Sequence, residues 1–343
     1  MRPKLGFLGV GWIGRHRMEA IAQSGAAQVA AISDATGDIA RAAAQPFPDC
    51  RVVESLDALF EQRLDGVVIA TPSAFHAEQT IRALEAGVAV FCQKPLGRNA
   101  EETGRVVDAA RAANRLLGVD LSYRFTEGMR AIKQRIDAGE LGDVYAVDLV
   151  FHNAYGPDKA WFYDPMLSGG GCVMDLGIHL VDLALWTLGF PAVANVTSRL
   201  YVKGQPLTRR GEACEDFASA QLTLDSGATV QLACSWKLPA GCDAVIAASF
   251  YGTKGGAALK NVNGSFYDFV AEHYRGTQRE QLAAPPDAWG GRAAVAWAEQ
   301  LARDPSFDPA AERLVVVAEA LDGIYLGARV PTKQRAGGRW QAQ

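Results

Sequence analysis

Three groups of residues in this 343-residue sequence have types and spacings suited to chemistry. Gly9-Val10-Gly11-Trp12-Ile13-Gly14 spells G-x-G-x-x-G, and Asp34 follows further along. Glycines so placed allow a tight turn, a close backbone approach to a pyrophosphate and close helix–strand packing, and the acid can accept ribose hydroxyls. Lys94 stands between the apolar run Val88 to Cys92 and Pro95, an unusual setting for a solvated lysine. An ammonium there can bond a substrate hydroxyl and steady the alkoxide that develops as hydride leaves. Asp175, His179 and Asp182 fall at i, i+4 and i+7 in an otherwise apolar stretch, with Gly169-Gly170-Gly171 just upstream. A buried polar group without a partner costs roughly 1–3 kcal/mol, so this stripe needs company. Either Asp175 and His179 satisfy each other and nearby backbone, or the stripe faces a cleft where Asp175 tunes His179 for proton transfer.

The elements that must carry these groups follow from the hydrophobic rhythm. Lys4 to Val10 and Gln28 to Ser33 read as buried strands flanking the glycine turn and its helix. Ile39 to Gln45, Leu56 to Arg63 (capped by Ser55), a helix capped by Ser73, and one begun by Asn99 alternate with strands at Cys50–Val53, Gly66–Ala70, Val88–Cys92 and Leu116–Leu121. Such alternation predicts a doubly wound parallel sheet over residues 1–121, with ligands at the carboxyl ends of its strands. Thr71, Pro72, Gln93 and Lys94 sit at such ends.

From residue 122 the pattern changes. Met129 to Ala138 reads as a helix, Val144 to Phe151 as an alternating strand, and residues 152–171 as an irregular aromatic and glycine-rich segment. One helix is expected from Cys172 to Leu188. The runs on either side of Asp225-Ser226-Gly227 predict a hairpin of a half-exposed antiparallel sheet. Further strands are expected at Val245–Tyr251 and Phe266–Val270, and helices near Ala293–Arg303 and through Leu314–Tyr325. The tail beyond Pro331 reads as polar and frayed. Residues 122–343 thus form a second, α+β domain.

The formal net charge is -4 and 49% of the residues are apolar, which argues against a nucleic-acid surface and for large cores. No apolar run is long enough to suggest a membrane span, and the start leaves no room for a signal peptide. Six cysteines without a C-x-x-C pair read as reduced thiols in a cytoplasmic protein, and no metal site is expected. Arg209-Arg210 hints at an acidic or phosphorylated substrate, with a solvated loop as the plainer reading.

The glycine fingerprint, Ala70-Thr71-Pro72 with His76, Gln93-Lys94-Pro95-Leu96, and Gly169-Gly170-Gly171 with Asp175-Leu176-Gly177-Ile178-His179 occur in that order. In that order the chain resembles the Gfo/Idh/MocA family of glucose–fructose oxidoreductases, inositol dehydrogenases and rhizopine-catabolism proteins. The resemblance implies a Rossmann domain followed by a domain with a large, open, mostly antiparallel sheet, through which members form homodimers or homotetramers. It implies hydride transfer between nicotinamide and a secondary alcohol or ketone of a sugar, cyclitol or related polyol. Lys94, Asp175 and His179 match its catalytic residues, with His179 as general base. Gly9, Gly11, Trp12, Ile13, Gly14, Asp34, Thr71, Pro72, His76, Gln93 and Lys94 fall where cofactor is held. Arg124, His152, Trp161 and Trp236 are candidate substrate contacts. Asp34 and the lack of an arginine at Ala35-Thr36 favour NAD, with NADP less favoured. The family's glutamate before the lysine is Gln93 here, which withdraws a negative charge from beside Lys94. The rivals are a dehydrogenase or reductase of a non-sugar substrate, as in dihydrodiol dehydrogenase and biliverdin reductase, and a non-catalytic dinucleotide-binding regulator.

Overall fold

Strand β1 (Lys4–Leu8) is apolar enough to be buried along almost its whole length, and it becomes a central strand of the first sheet. In the computed structural model, which describes residues 2–328, the chain continues through α1 (Trp12–Ser24), β2 (Gln28–Ser33), α2 (Gly37–Ala44), β3 (Arg51–Val52) and α3 (Leu56–Phe60). It goes on through β4 (Gly66–Ile69), α4 (Ser73–Glu85), β5 (Ala89–Cys92), α5 (Ala100–Ala113) and β6 (Leu117–Val119). The six strands are parallel in the order β3-β2-β1-β4-β5-β6, and every residue of β4 and β5 is buried, as a sheet covered on both faces requires. Ser55 and Asn99 cap α3 and α5 through side-chain oxygens, as expected. Ser73 does not cap α4. It is the first helical residue, and Pro72, with extended ψ, occupies the cap position.

The second half opens with a 3₁₀ turn (Ser122–Phe125) and continues through α6 (Glu127–Asp137), β7 (Val144–Asn153), α7 (Pro165–Ser168), α8 (Ile178–Thr187), β8 (Val193–Val202) and β9 (Gln205–Leu207). Then follow β10 (Phe217–Leu224), β11 (Thr229–Ser235), β12 (Ala244–Gly252), β13 (Gly256–Asn261), β14 (Phe269–Arg275) and β15 (Gln278–Ala283). These nine strands form one sheet, β15-β14-β13-β12-β7-β11-β10-β8-β9, antiparallel except where β7 meets β11. The hairpin around Asp225-Ser226-Gly227 joins β10 and β11. Strand β14 starts at Phe269 rather than Phe266, because the Ser265 hydroxyl binds the Tyr267 and Asp268 amides and holds those residues in a turn.

The expected single helix from Cys172 to Leu188 is broken. Val173–Gly177 form a wide π-type turn, and α8 begins only at Ile178. Wide turns of this kind recur at functional sites because the extra residue re-aims neighbouring side chains. The helical stretch 165–187 is long and apolar enough to cross a membrane by composition alone, yet most of it lies buried in this fold. The chain ends with α9 (Arg292–Arg303) and α10 (Arg313–Gly327). Helix α9 crosses back onto the first sheet, where Trp297 packs 5.7 Å from Phe91 and its core merges with that of β1, so a cut at residue 121 divides the chain but not the packing. The polar tail expected beyond Pro331 lies outside the described residues.

Candidate active site

The glycine turn is built by absence of side chains. Gly9 has φ +83°, and a Cβ on Gly14 would stand 2.1 Å from the Gly9 oxygen, so neither position accepts a larger residue without movement. A Cβ on Gly11 would meet nothing within 4 Å, which leaves the α1 N-terminus open toward a cleft. The first turn of α1 carries no acidic residue to compete for its free N–H groups. Asp34 accepts the Val10 amide at 2.8 Å and the Thr36 amide at 2.9 Å, and a carboxylate has further lone pairs for hydroxyls. The residues present therefore fit a dinucleotide at this edge.

The cleft has a volume of about 1520 Å³. Gly11, Trp12 and Ile13 line it together with Thr71, Pro72, His76, Gln93 and Lys94, and from the other half of the chain Trp161, Asp175 and His179. His76 is buried and braces the two strand-end turns, its ring nitrogens lying 2.6 Å from the Thr71 oxygen and 2.7 Å from the Pro95 oxygen. Burial, with help from the Lys94 charge, pushes its pKa down, while the two carbonyls oppose that shift.

At the centre, Lys94 Nζ donates to the Asp175 carbonyl at 2.7 Å and to Asp175 Oδ1 at 2.6 Å. An ammonium has three donors, so one is left for a ligand. Asp175 Oδ2 accepts the Trp236 indole N–H at 3.0 Å. His179 is not bonded to Asp175, contrary to the local pairing open at the sequence level. Its Nδ1 is buried without a hydrogen-bond partner among the described residues, and the Tyr123 ring lies 4.9 Å away. Burial above all, then the positive charges of Lys94 and Arg17, hold His179 well below the usual imidazole pKa. The neutral imidazole is thereby favoured.

Four candidates meet different fates. Trp161 lines the cleft, stacked on Phe162 with centroids 3.8 Å apart. Trp236 acts on the site through Asp175 rather than as cleft wall. Arg124 does not line the cleft. It is engaged in a two-pronged pair with buried Asp182, Nε to Oδ2 at 2.7 Å, and packs over Trp186 and Phe190. His152 is also off the wall, bonded to the Ser235 hydroxyl at 2.8 Å and stacked on Phe217. Asp182 consequently belongs to structure, and Arg210 likewise pairs with Asp322 and the Gly169 carbonyl rather than waiting for an anion.

Several site residues were missed. Asp120 lies at the end of β6, where the same strand-end rule that singles out Thr71 and Lys94 applies. His16 and Arg17 on α1 and Tyr123 and Trp289 from the second half also line the cleft. Glu215 is fully buried, and its Oε1 accepts the Gly171 and Val173 amides and the Tyr325 hydroxyl, each at 2.9 Å. It thereby anchors the start of the wide turn that carries Asp175. Nothing in the local sequence around Glu215 announces that contact. Gln93 does not leave Lys94 without a carboxylate, because Asp175 supplies one, and the Gln93 amide faces Asp120 instead.

Residues 4–121 match the signature described as "Oxidoreductase family, NAD-binding Rossmann fold", and residues 129–258 match the "GFO/IDH/MocA C-terminal domain". D-glucoside 3-dehydrogenase of Escherichia coli (strain K12) is 29% identical over 68% of this chain and 69% of its own length. Inositol 2-dehydrogenase of Rhizobium meliloti (strain 1021) is 28% identical over 76% of each. The crystal structure of GenD2 from gentamicin A biosynthesis, in complex with NAD, superposes with a TM-score of 0.80 at 25% identity, covering 95% of this chain and 94% of that one. Solved structures of this fold hold either NAD or NADP. Two consecutive matches spanning most of the described residues, on a parallel dinucleotide sheet and a nine-stranded open sheet, establish that the chain belongs to the Gfo/Idh/MocA oxidoreductase family.

Proposed function

We propose that this chain moves a hydride between NAD and a secondary alcohol, or the matching ketone, of a sugar, cyclitol or related polyol. The observation that carries the reading is Lys94, held by Asp175 in a cleft that continues to the open glycine turn, with neutral His179 on the same wall. A bound nicotinamide would supply the hydride acceptor. The free donor of Lys94 holds the reacting oxygen and its charge favours the alkoxide. His179 takes the hydroxyl proton, and Asp175, fixed by Trp236, keeps the Lys94 ammonium in one place. Trp161, Tyr123 and Trp289 add aromatic surface to the cleft wall, which suits the apolar parts of a sugar.

The choice of NAD over NADP is supported by the Asp34 carboxylate, whose charge repels a 2′-phosphate, and by Arg41 being paired with Asp38. Assembly through the second sheet is supported by its uncovered face, where Val150, Ala233, Val245 and Ala247 stay half-exposed and Tyr251 is exposed. A cytoplasmic setting is supported by six unpaired thiols, the closest buried pair, Cys172 and Cys234, standing 3.8 Å apart. The test is NAD and NADP reduction against a panel of free polyols, aldoses, glycosides, cyclitols and their acids, with size-exclusion chromatography alongside. Binding of NADH with no turnover across the panel would favour the regulator instead.

A further inference from the structure

Next to Lys94 lies a buried polar group of three residues that the hydride-transfer scheme does not use. Asp120, 1% exposed, accepts Arg17 Nε at 2.6 Å and the Gln93 side-chain N–H on the same oxygen, Oδ2. Arg17 is itself buried on α1 and donates to His16 Nδ1 at 2.9 Å. The group thus ties the cofactor helix to the ends of β5 and β6. A carboxylate facing an arginine is an acceptor only, so the Gln93 amide must turn its NH₂ toward Asp120 and its carbonyl the other way. That carbonyl oxygen accepts no hydrogen bond from the described residues, and Gln93 lines the cleft.

We propose that Asp120, seated on Arg17, is a positioning residue that locks the Gln93 amide so that a neutral carbonyl acceptor faces the cleft beside Lys94, where it receives the N–H of a primary carboxamide. The carboxamide is that of the nicotinamide, so this inference rests on the dinucleotide reading. A substrate hydroxyl is the other donor that could fill the place. A glutamate at position 93 is incompatible with this arrangement, because it would set a second carboxylate against buried Asp120 with one arginine to serve both. Exchanging the two chemistries, carboxylate at 93 and amide at 120, restores one acid, one amide and one arginine in contact.

The test uses the purified full chain, with NADH affinity from fluorescence titration and thermal melting as readouts separate from turnover. Gln93→Glu should weaken NADH binding at least about tenfold at pH 7.5, with recovery as the pH falls and one carboxyl takes a proton. Gln93→Glu combined with Asp120→Asn should bring affinity back to within about threefold of the parent chain. Gln93→Ala, which removes the amide without adding charge, should bind NADH and 3-acetylpyridine adenine dinucleotide equally, whereas the parent prefers NADH, whose carboxamide alone carries an N–H. If the parent does not discriminate between these two dinucleotides but Gln93→Ala raises the substrate KM, the donor is a substrate hydroxyl and the carboxamide assignment is overturned. A double variant that folds but binds no better than Gln93→Glu overturns the Asp120 role, as does a Gln93→Glu chain with unchanged affinity at every pH. Loss of all NADH binding by the parent would instead refute the dinucleotide reading itself.

Discussion

Replacing Asp175 by asparagine isolates what its carboxylate does. The carboxylate accepts Lys94 on one oxygen at 2.6 Å and the Trp236 indole on the other at 3.0 Å. An amide of the same shape has one acceptor and one donor, so it can satisfy either the ammonium or the indole but meets the other donor-to-donor. One hydrogen bond to a charged group is therefore lost, worth about 1.5–3 kcal/mol where it is shielded from water. Both side chains are less than one-fifth exposed, so little of this is recovered by solvent. At 1.36 kcal/mol per tenfold, kcat/KM should fall by about 10- to 150-fold if the bond matters in the transition state. The assay is NADH formation with the best substrate from the panel, alongside NADH affinity by fluorescence. Affinity should stay within a few-fold, because Asp175 is remote from the glycine turn in role and chain. Retention of more than half the parent kcat/KM, or an equal loss of NADH affinity, would refute the assignment of Asp175 as the group that holds Lys94.

Trp236→Phe keeps the ring and removes the other bond to Asp175, so a loss of about one order of magnitude in kcat is expected without a change in NADH affinity, measured the same way. Arg124→Met leaves buried Asp182 without its guanidinium and should cost about 3 kcal/mol of stability by denaturant unfolding, with an unchanged substrate KM in the folded fraction. Gly14→Ala should lower the melting temperature because its Cβ meets the Gly9 oxygen, whereas Gly11→Ala should melt like the parent and lose NADH affinity. His76, His152 and His179 all have depressed pKa values, so the stability they favour is present above pH about 6.5 and is lost as pH falls toward their folded values. Buried Asp182 and Glu215 are shifted upward and act in the opposite sense. Melting temperature should accordingly drop between pH 7.5 and 5.5, and a flat profile there would show that these imidazoles are not buried neutral.

Much of this protein is written locally. The spacing of Gly9, Gly11, Gly14 and Asp34 determines the cofactor edge, because backbone reach and helix packing at a strand-to-helix turn depend on residues close in sequence. The strict alternation of strands and helices to residue 121 and the turn at Asp225-Ser226-Gly227 are local in the same sense. The long-range pairings are not. Asp175 and His179 are four positions apart, and helical spacing suggests that they meet, yet the wide turn at Val173–Gly177 and the docking of the two halves of the chain give Asp175 to Lys94, far earlier in the chain. Arg124 reads as a free cation until Asp182 is folded against it. Gln93 reads as a lost charge until β6 brings Asp120 to its side. Charges carry strong long-range preferences but no address in sequence, so which acid meets which base is decided only when folding buries them side by side.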